Sequence, residues 1–193
     1  MSLNSEKVLT ERLLTESVVT KAWRTDTKAL VGAVILGVVS MLLQQVSMRI
    51  DAAIWTPLII LGGITWATLT GLITLIFRQP AGIIMGETQA LIAMATGLSP
   101  VALFFIPANG FSSLAYTLVA RKLSMQKWSH HFLAQLATNV VGNIFVGYGL
   151  HVVLKLPVNV AVVSSLITCC AGIIGATILT KKIADALNKA GLA

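Results

Sequence analysis

The residues of this sequence that could do chemistry sit where chemistry is expensive. Glu87, within RQPAGIIMGETQALIAMATGLSP (78–100), is the only acidic residue expected inside a long apolar run. An ionisable group at membrane depth costs a few kcal/mol to keep there, so it calls for a partner, a polar cavity or a proton. Six amides raise the same question. Gln44, Gln45, Gln89, Asn109, Asn139 and Asn143 all interrupt apolar sequence, and each is expected to face the interior of a helical bundle. Asn139 and Asn143 are four apart and share one helical face. Taken singly, each amide reads equally well as glue between helices. Taken together with Glu87 and with Trp55, Trp66, Tyr116 and Tyr148, they read as the lining of a small polar-aromatic pocket. FFIPANGF (104–111) adds to that reading: Pro107 lacks a backbone donor and Gly110 loosens the chain, which predicts a kink or break near Asn109.

Other chemistries find no footing. GxxxxGK[ST], HExxH and GxSxG are absent, as is a pair of carboxylates on adjacent helical turns. Cys169 and Cys170 are adjacent, so they cannot bridge to one another in the ordinary way, and they lack neighbours at metal-ligand spacing. His130 and His131 are expected at a membrane boundary among headgroups, and His151 toward the far end of the fifth apolar segment. No catalytic residue, metal site or cofactor is therefore expected. The chain does not read as an enzyme and carries no ATPase site of its own.

The elements that must position these groups follow from composition. At 193 residues, 56% hydrophobic and 11% charged, with mean hydropathy +0.86, the sequence is too apolar for a soluble globular domain. A hydrocarbon core about 30 Å thick needs roughly 20 apolar helical residues. Six such segments are expected near 29–48, 53–77, 80–97, 99–120, 132–154 and 157–180, giving an all-α polytopic membrane protein with one six-helix bundle over 28–180. The ten-residue alternation of an outer-membrane barrel is missing. With both ends placed in the cytoplasm, all of the 14 Lys and Arg except Arg49 and Lys155 fall inside, which predicts an N-in, C-in arrangement in the cell membrane. That asymmetry accounts for the net charge of +7 without a nucleic-acid partner. Residues 1–27 read as a cytoplasmic amphipathic or disordered segment without the features of a signal peptide, and 181–193 as a short amphipathic tail. In ALVGAVILG (29–37), Ala29, Ala33 and Gly37 form a small-residue stripe. Such a stripe admits a close helix, either within the bundle or from a second membrane protein.

These features together resemble the substrate-binding S components of energy-coupling factor (ECF) vitamin importers, and within them the YkoE-type proteins associated with a thiamine precursor. The likeness is carried by six spans without an ATP site, by Ala29 and Ala33, and by the run Arg78, Pro80, Ala81, Gly82, Glu87, Ala90, Leu91, Gly97, Ser99 and Pro100. The small-residue helix with its short tail, AGIIGATILTKKIADALNKAGLA, is similar as well. The resemblance implies capture of a water-soluble vitamin, a thiamine pyrimidine precursor first and cobalamin next. It implies a transmembrane coupling protein and two cytoplasmic ATPases as partners. On this reading Gln44, Trp55, Asn109, Asn139, Asn143 and His151 shape the pocket above a deeper Glu87, and Ala29, Ala33 and Gly37 meet the coupling protein. A proton-coupled carrier using Glu87 and a membrane-embedded assembly or chaperone subunit are the expectations from other classes.

Overall fold

In a computed structural model, residues 26–54 and 58–191 are described; the N-terminal segment and Trp55 lie outside them. Among the described residues the regular elements are all helical. They are α1 Thr27–Ile54, α2 Ile60–Phe77, α3 Ala81–Ala95, a 3-10 turn Ala102–Phe104 leading directly into α4 Phe105–Ala120, α5 Trp128–Leu154 and α6 Val158–Lys189. Five of these stretches are long and apolar enough to cross a bilayer, counting the turn and α4 as one. The third expected span is shorter than the sequence suggests: α3 has 15 residues, about 22 Å. In the other direction, α1 continues past 48 to Ile54, and α6 runs unbroken into the tail.

Local chemistry sets the ends. Lys155 closes α5 in the left-handed conformation (φ 56°), and Pro157 leads into α6 with its φ already preset. α2 stops where Arg78 takes φ 64°, followed by a cis Gln79–Pro80 bond. The expected break near Asn109 does not occur. α4 begins at Phe105, so Pro107 falls in the first turn, where a backbone N–H has no helical acceptor to lose.

α2 lies at the centre, touching every other helix, while α1, α3, α4, α5 and α6 follow one another around it. Gly62, Gly63, Ala67 and Gly71 on α2 are all buried and let its neighbours come close. Ala29, Ala33 and Gly37 are buried too, and a Cβ on Gly37 would stand 2.7 Å from Thr88 Cβ and 2.9 Å from the Met85 carbonyl. The stripe is thus the internal seam of α1 on α3, and in this conformation it has no free surface for a second protein. The opposite face of α1, with Val31, Ile35, Leu42 and Val46, is exposed and apolar, as a lipid-facing surface must be.

The bundle has two unlike ends. One carries the α2–α3 and α4–α5 connections together with Lys28, Arg78, Arg121, Lys122, Lys127 and Lys182; it is called the basic end below. The other carries the remaining connections, with Arg49 and Lys155.

Candidate functional site

In the half of the bundle away from the basic end, four helices contribute to one chain of amides. Gln44 Nε2 on α1 donates to the Gly62 carbonyl of α2 at 3.2 Å. Gln89 Nε2 on α3 donates to Gln44 Oε1. Asn109 Nδ2 on α4 donates to Gln89 Oε1 at 2.8 Å and to the Gly86 carbonyl at 2.6 Å. In a membrane each such bond adds on average about 0.6 kcal/mol, so the chain locks four helices together modestly. Close approach makes it feasible, since Gly86 leaves no side chain between α3 and Asn109.

A cavity of about 50 Å³ opens beside this chain. Gln44, Gln89, Asn109, Asn143 and Thr168 supply its polar groups, and Met48, Ile59, Trp66, Phe105 and Val146 supply its apolar walls. Asn143 enters from α5, with its Nδ2 donating to the Asn139 carbonyl at 2.9 Å. Met48 and Ile59 also line a second, larger space of about 340 Å³ at the end of the bundle. This vestibule is bordered by Gln45, Arg49, Asp51, Ser99 and Pro100. Two side chains therefore partition a small, largely apolar-walled inner cavity from a wider and more polar outer one.

Of the residues expected at a site, Gln44, Asn109 and Asn143 are brought together here. Asn139 lies one turn further along α5, fully buried, with its Nδ2 on the Gln135 carbonyl at 2.9 Å. Glu87 lines neither this cavity nor the vestibule. It sits half-buried at the seam of α3 and α4, with Oε1 2.9 Å from where a Gly110 Cβ would be, on the side that also exposes Leu91 and Phe111. His151 is exposed, and its Nδ1 meets the Leu156 carbonyl at 2.8 Å, tying off the α5–α6 turn. It borders a groove of about 380 Å³ along α5 and α6, which Asn143 also lines.

A second polar layer lies toward the basic end and is closed. Gln135 Nε2 donates to the Ala67 carbonyl at 3.0 Å and to Thr180 Oγ1 at 3.1 Å, joining α5 to α2 and α6. Gln79 Nε2 donates to Ser113 Oγ at 2.7 Å and Thr117 Oγ1 at 2.8 Å, pinning the α2–α3 connection to α4. Gln79, Gln135 and Asn139 are each 0% exposed. His131, expected among headgroups, is fully buried as well, with Nε2 against the Met125 carbonyl at 2.8 Å. Nearby, Lys181 pairs with Asp185 and lies 5.8 Å from the Trp128 ring centre. No grouping of His, Cys, Asp and Glu able to hold a metal occurs among the described residues.

Gln89 and Trp66, read from the sequence as pocket lining, both line this cavity. One residue gains a place the sequence did not assign. Asp51 belongs to the last turn of α1, buried, and its two carboxylate oxygens accept from Leu61 N at 2.9 Å and Gly62 N at 2.8 Å. It thereby satisfies free donors at the start of α2 and complements the positive end of that helix. An acidic residue eleven positions before a Gly-Gly pair in an apolar run was the available signal. Comparison with protein-family models, curated proteins and solved structures returns no match, so the functional reading rests on this geometry.

Proposed function

We propose that this chain is a solute-capture subunit of a membrane importer, of the kind represented by the S components of ECF transporters. The observation that carries the reading is the convergence of amides from α1, α3, α4 and α5 on a cavity walled by Trp66 and backed by a vestibule at the end away from the basic residues. Ligand sites in helical membrane proteins take this form: a few polar groups fix orientation within an otherwise apolar enclosure. Placing the basic end in the cytoplasm, with all six helices crossing, opens the vestibule to the outside, where an importer meets its solute. On this proposal energy is supplied by partners, a transmembrane coupling protein and two ATPases, in keeping with a sequence that carries no nucleotide-binding motif.

A vitamin precursor with an aminopyrimidine ring is the favoured solute, and entry of its whole ring requires Met48 and Ile59 to yield. A corrinoid is far too large for the inner cavity. Docking of a coupling protein on Ala29, Ala33 and Gly37 requires α1 and α3 to part; the exposed faces of the bundle are open to it without that cost.

The test is mass spectrometry of small molecules released by denaturing gently purified protein from cells grown in rich medium. A stoichiometric solute supports capture; its repeated absence from folded protein refutes it. A second reading, a membrane-embedded assembly subunit that binds protein, draws on one observation. The amide chain is satisfied largely within itself, and its cavity is small. For that reading, folded protein stays free of solute while a defined membrane partner crosslinks to the bundle.

A further inference from the structure

Glu87 takes no part in the cavity, although it is the acidic residue set within an apolar run. It stands near the middle of α3, where Gly86, Gln89, Ala90 and Ala93, all buried, fill the interior side of that helix. Glu87 shares the other side with Leu91, one turn on, which is 58% exposed. Across the seam, Phe111 and Leu118 of α4 are exposed too, and Phe111 stacks on Phe145 of α5 with ring centres 5.5 Å apart. Gly110 makes room at the seam. A Cβ there would stand 2.9 Å from Glu87 Oε1, so its absence lets the carboxyl group rest against the α4 backbone.

The result is a carboxyl group framed by apolar side chains on the outer surface of the bundle. No cation pairs with it among the described residues, whose Lys and Arg stand toward the two ends. What covers such a group is decided by charge and reach. Hydrocarbon offers it no donor, and an ionisable group facing lipid is expensive to keep. Lipid headgroups carry cations, but each end of α3 lies roughly 10 Å from Glu87 along the helix, out of a carboxylate's reach. A second copy of this chain, docked by twofold symmetry through the same face, would set Glu87 against Glu87. Like charges oppose that pairing.

We infer that, granted the six-span arrangement proposed above, the α3–α4 face around Glu87 docks a transmembrane helix of a different protein, one carrying a Lys or Arg near mid-depth. The carboxylate pairs with that cation where both are removed from water, while Leu91, Phe111 and Leu118 pack against the apolar residues beside it. A partner seated there leaves the α1–α3 seam closed. The assignment serves the capture and the assembly readings alike.

Synthetic single-span helices probe the face directly. A leucine-based peptide of about 20 residues with Lys at its centre is compared with one bearing norleucine there and one bearing Lys near its end. Association with the full chain in phosphatidylcholine vesicles is read by energy transfer. The central-Lys peptide is expected to associate about tenfold more tightly than either of the others, and Glu87→Gln to remove that preference. If that variant fails to fold, the ratio between peptides on the unaltered chain carries the test. In cells, a photoreactive residue at position 91 should crosslink a membrane protein with a mid-span Lys or Arg. That crosslink should be lost in Glu87→Lys and restored when the partner's cation is replaced by Glu. Equal association of the three peptides, a preference untouched by Glu87→Gln in folded protein, or crosslinks confined to lipid or to a second copy would overturn the inference. Leu91→Cys, in a chain with Cys169 and Cys170 replaced by Ala, separates it from the arrangement it rests on. Reaction with a water-soluble maleimide in intact vesicles places α3 outside the bilayer, and both fall. Protection together with equal peptide association overturns the docking alone and leaves six spans and solute capture standing.

Discussion

The two amide layers use the same side chains for different ends. Toward the basic end, Gln135 and Gln79 are enclosed on every side, their NH2 groups shared between carbonyls and hydroxyls of neighbouring helices. In the other half, Gln44, Gln89 and Asn109 form a chain, yet a cavity remains at its flank. The slack is local to Gly63. A Cβ there would meet only Thr168 at 3.1 Å, whereas one on Gly71, in the closed layer, would meet Gln135 Nε2 at 2.9 Å, Tyr116 at 3.0 Å and Thr180 at 3.1 Å; elsewhere around the cavity the packing is as close, since a Cβ on Gly62 would meet Met48 at 2.9 Å and one on Gly142 would meet Trp66 at 2.7 Å. An intramembrane amide is therefore not in itself a sign of a ligand site; the packing around it decides.

The largest test of this contrast is Gln135→Ala. It removes both links from α5 and leaves a void where nothing can collapse inward, so thermal and denaturant unfolding should register a loss of about 3 kcal/mol. Equal tolerance of Gln135→Ala and Gln89→Ala would erase the distinction between the layers. Next comes the glycine pair. Gly71→Ala should cost about 2 kcal/mol by overpacking, and Gly63→Ala under about 1 kcal/mol while narrowing the cavity; a reversal of that order in melting temperature would contradict the packing described. Asp51→Ala should follow, destabilising by about 1 kcal/mol through two released donors at the start of α2. The smallest effect belongs to Glu87→Gln. Because Glu87 faces the α3–α4 seam rather than the cavity, solute affinity should stay within about twofold, less than the loss of one hydrogen bond. A tenfold loss measured by equilibrium binding would show that the carboxylate reaches the ligand after all.

Much of the fold was legible in the sequence. Apolar runs and their charged borders marked the helices, and Lys and Arg marked one end of the bundle. The candidate site was legible in depth but not in direction. Glu87 was expected to floor the same site, but the sequence carries no sign of which way it turns. In a soluble helix the polar side would tell; here the lipid-facing side and the buried side are both apolar, so Leu91 and Ala90 look alike in sequence although one is exposed and the other buried. Pro107 misled for a related reason. Its effect depends on where the helix begins, and the 3-10 turn before Phe105 shifted that start by a few residues.

The brevity of α3 has a further consequence. At about 22 Å it falls some 8 Å short of a typical hydrocarbon slab, and the vestibule, bordered by Thr96, Ser99 and Val101, occupies the place where it runs out. In the proposed six-span arrangement, lipid and water adjust around that shortfall, by local thinning of the leaflet or by water dipping inward, at a fraction of a kcal/mol per Å of mismatch. On that proposal, bilayer thickness becomes a control on the mouth of the cavity. Reconstitution in shorter-chain lipids should ease solute access, while thick, sterol-rich bilayers should press the entrance shut.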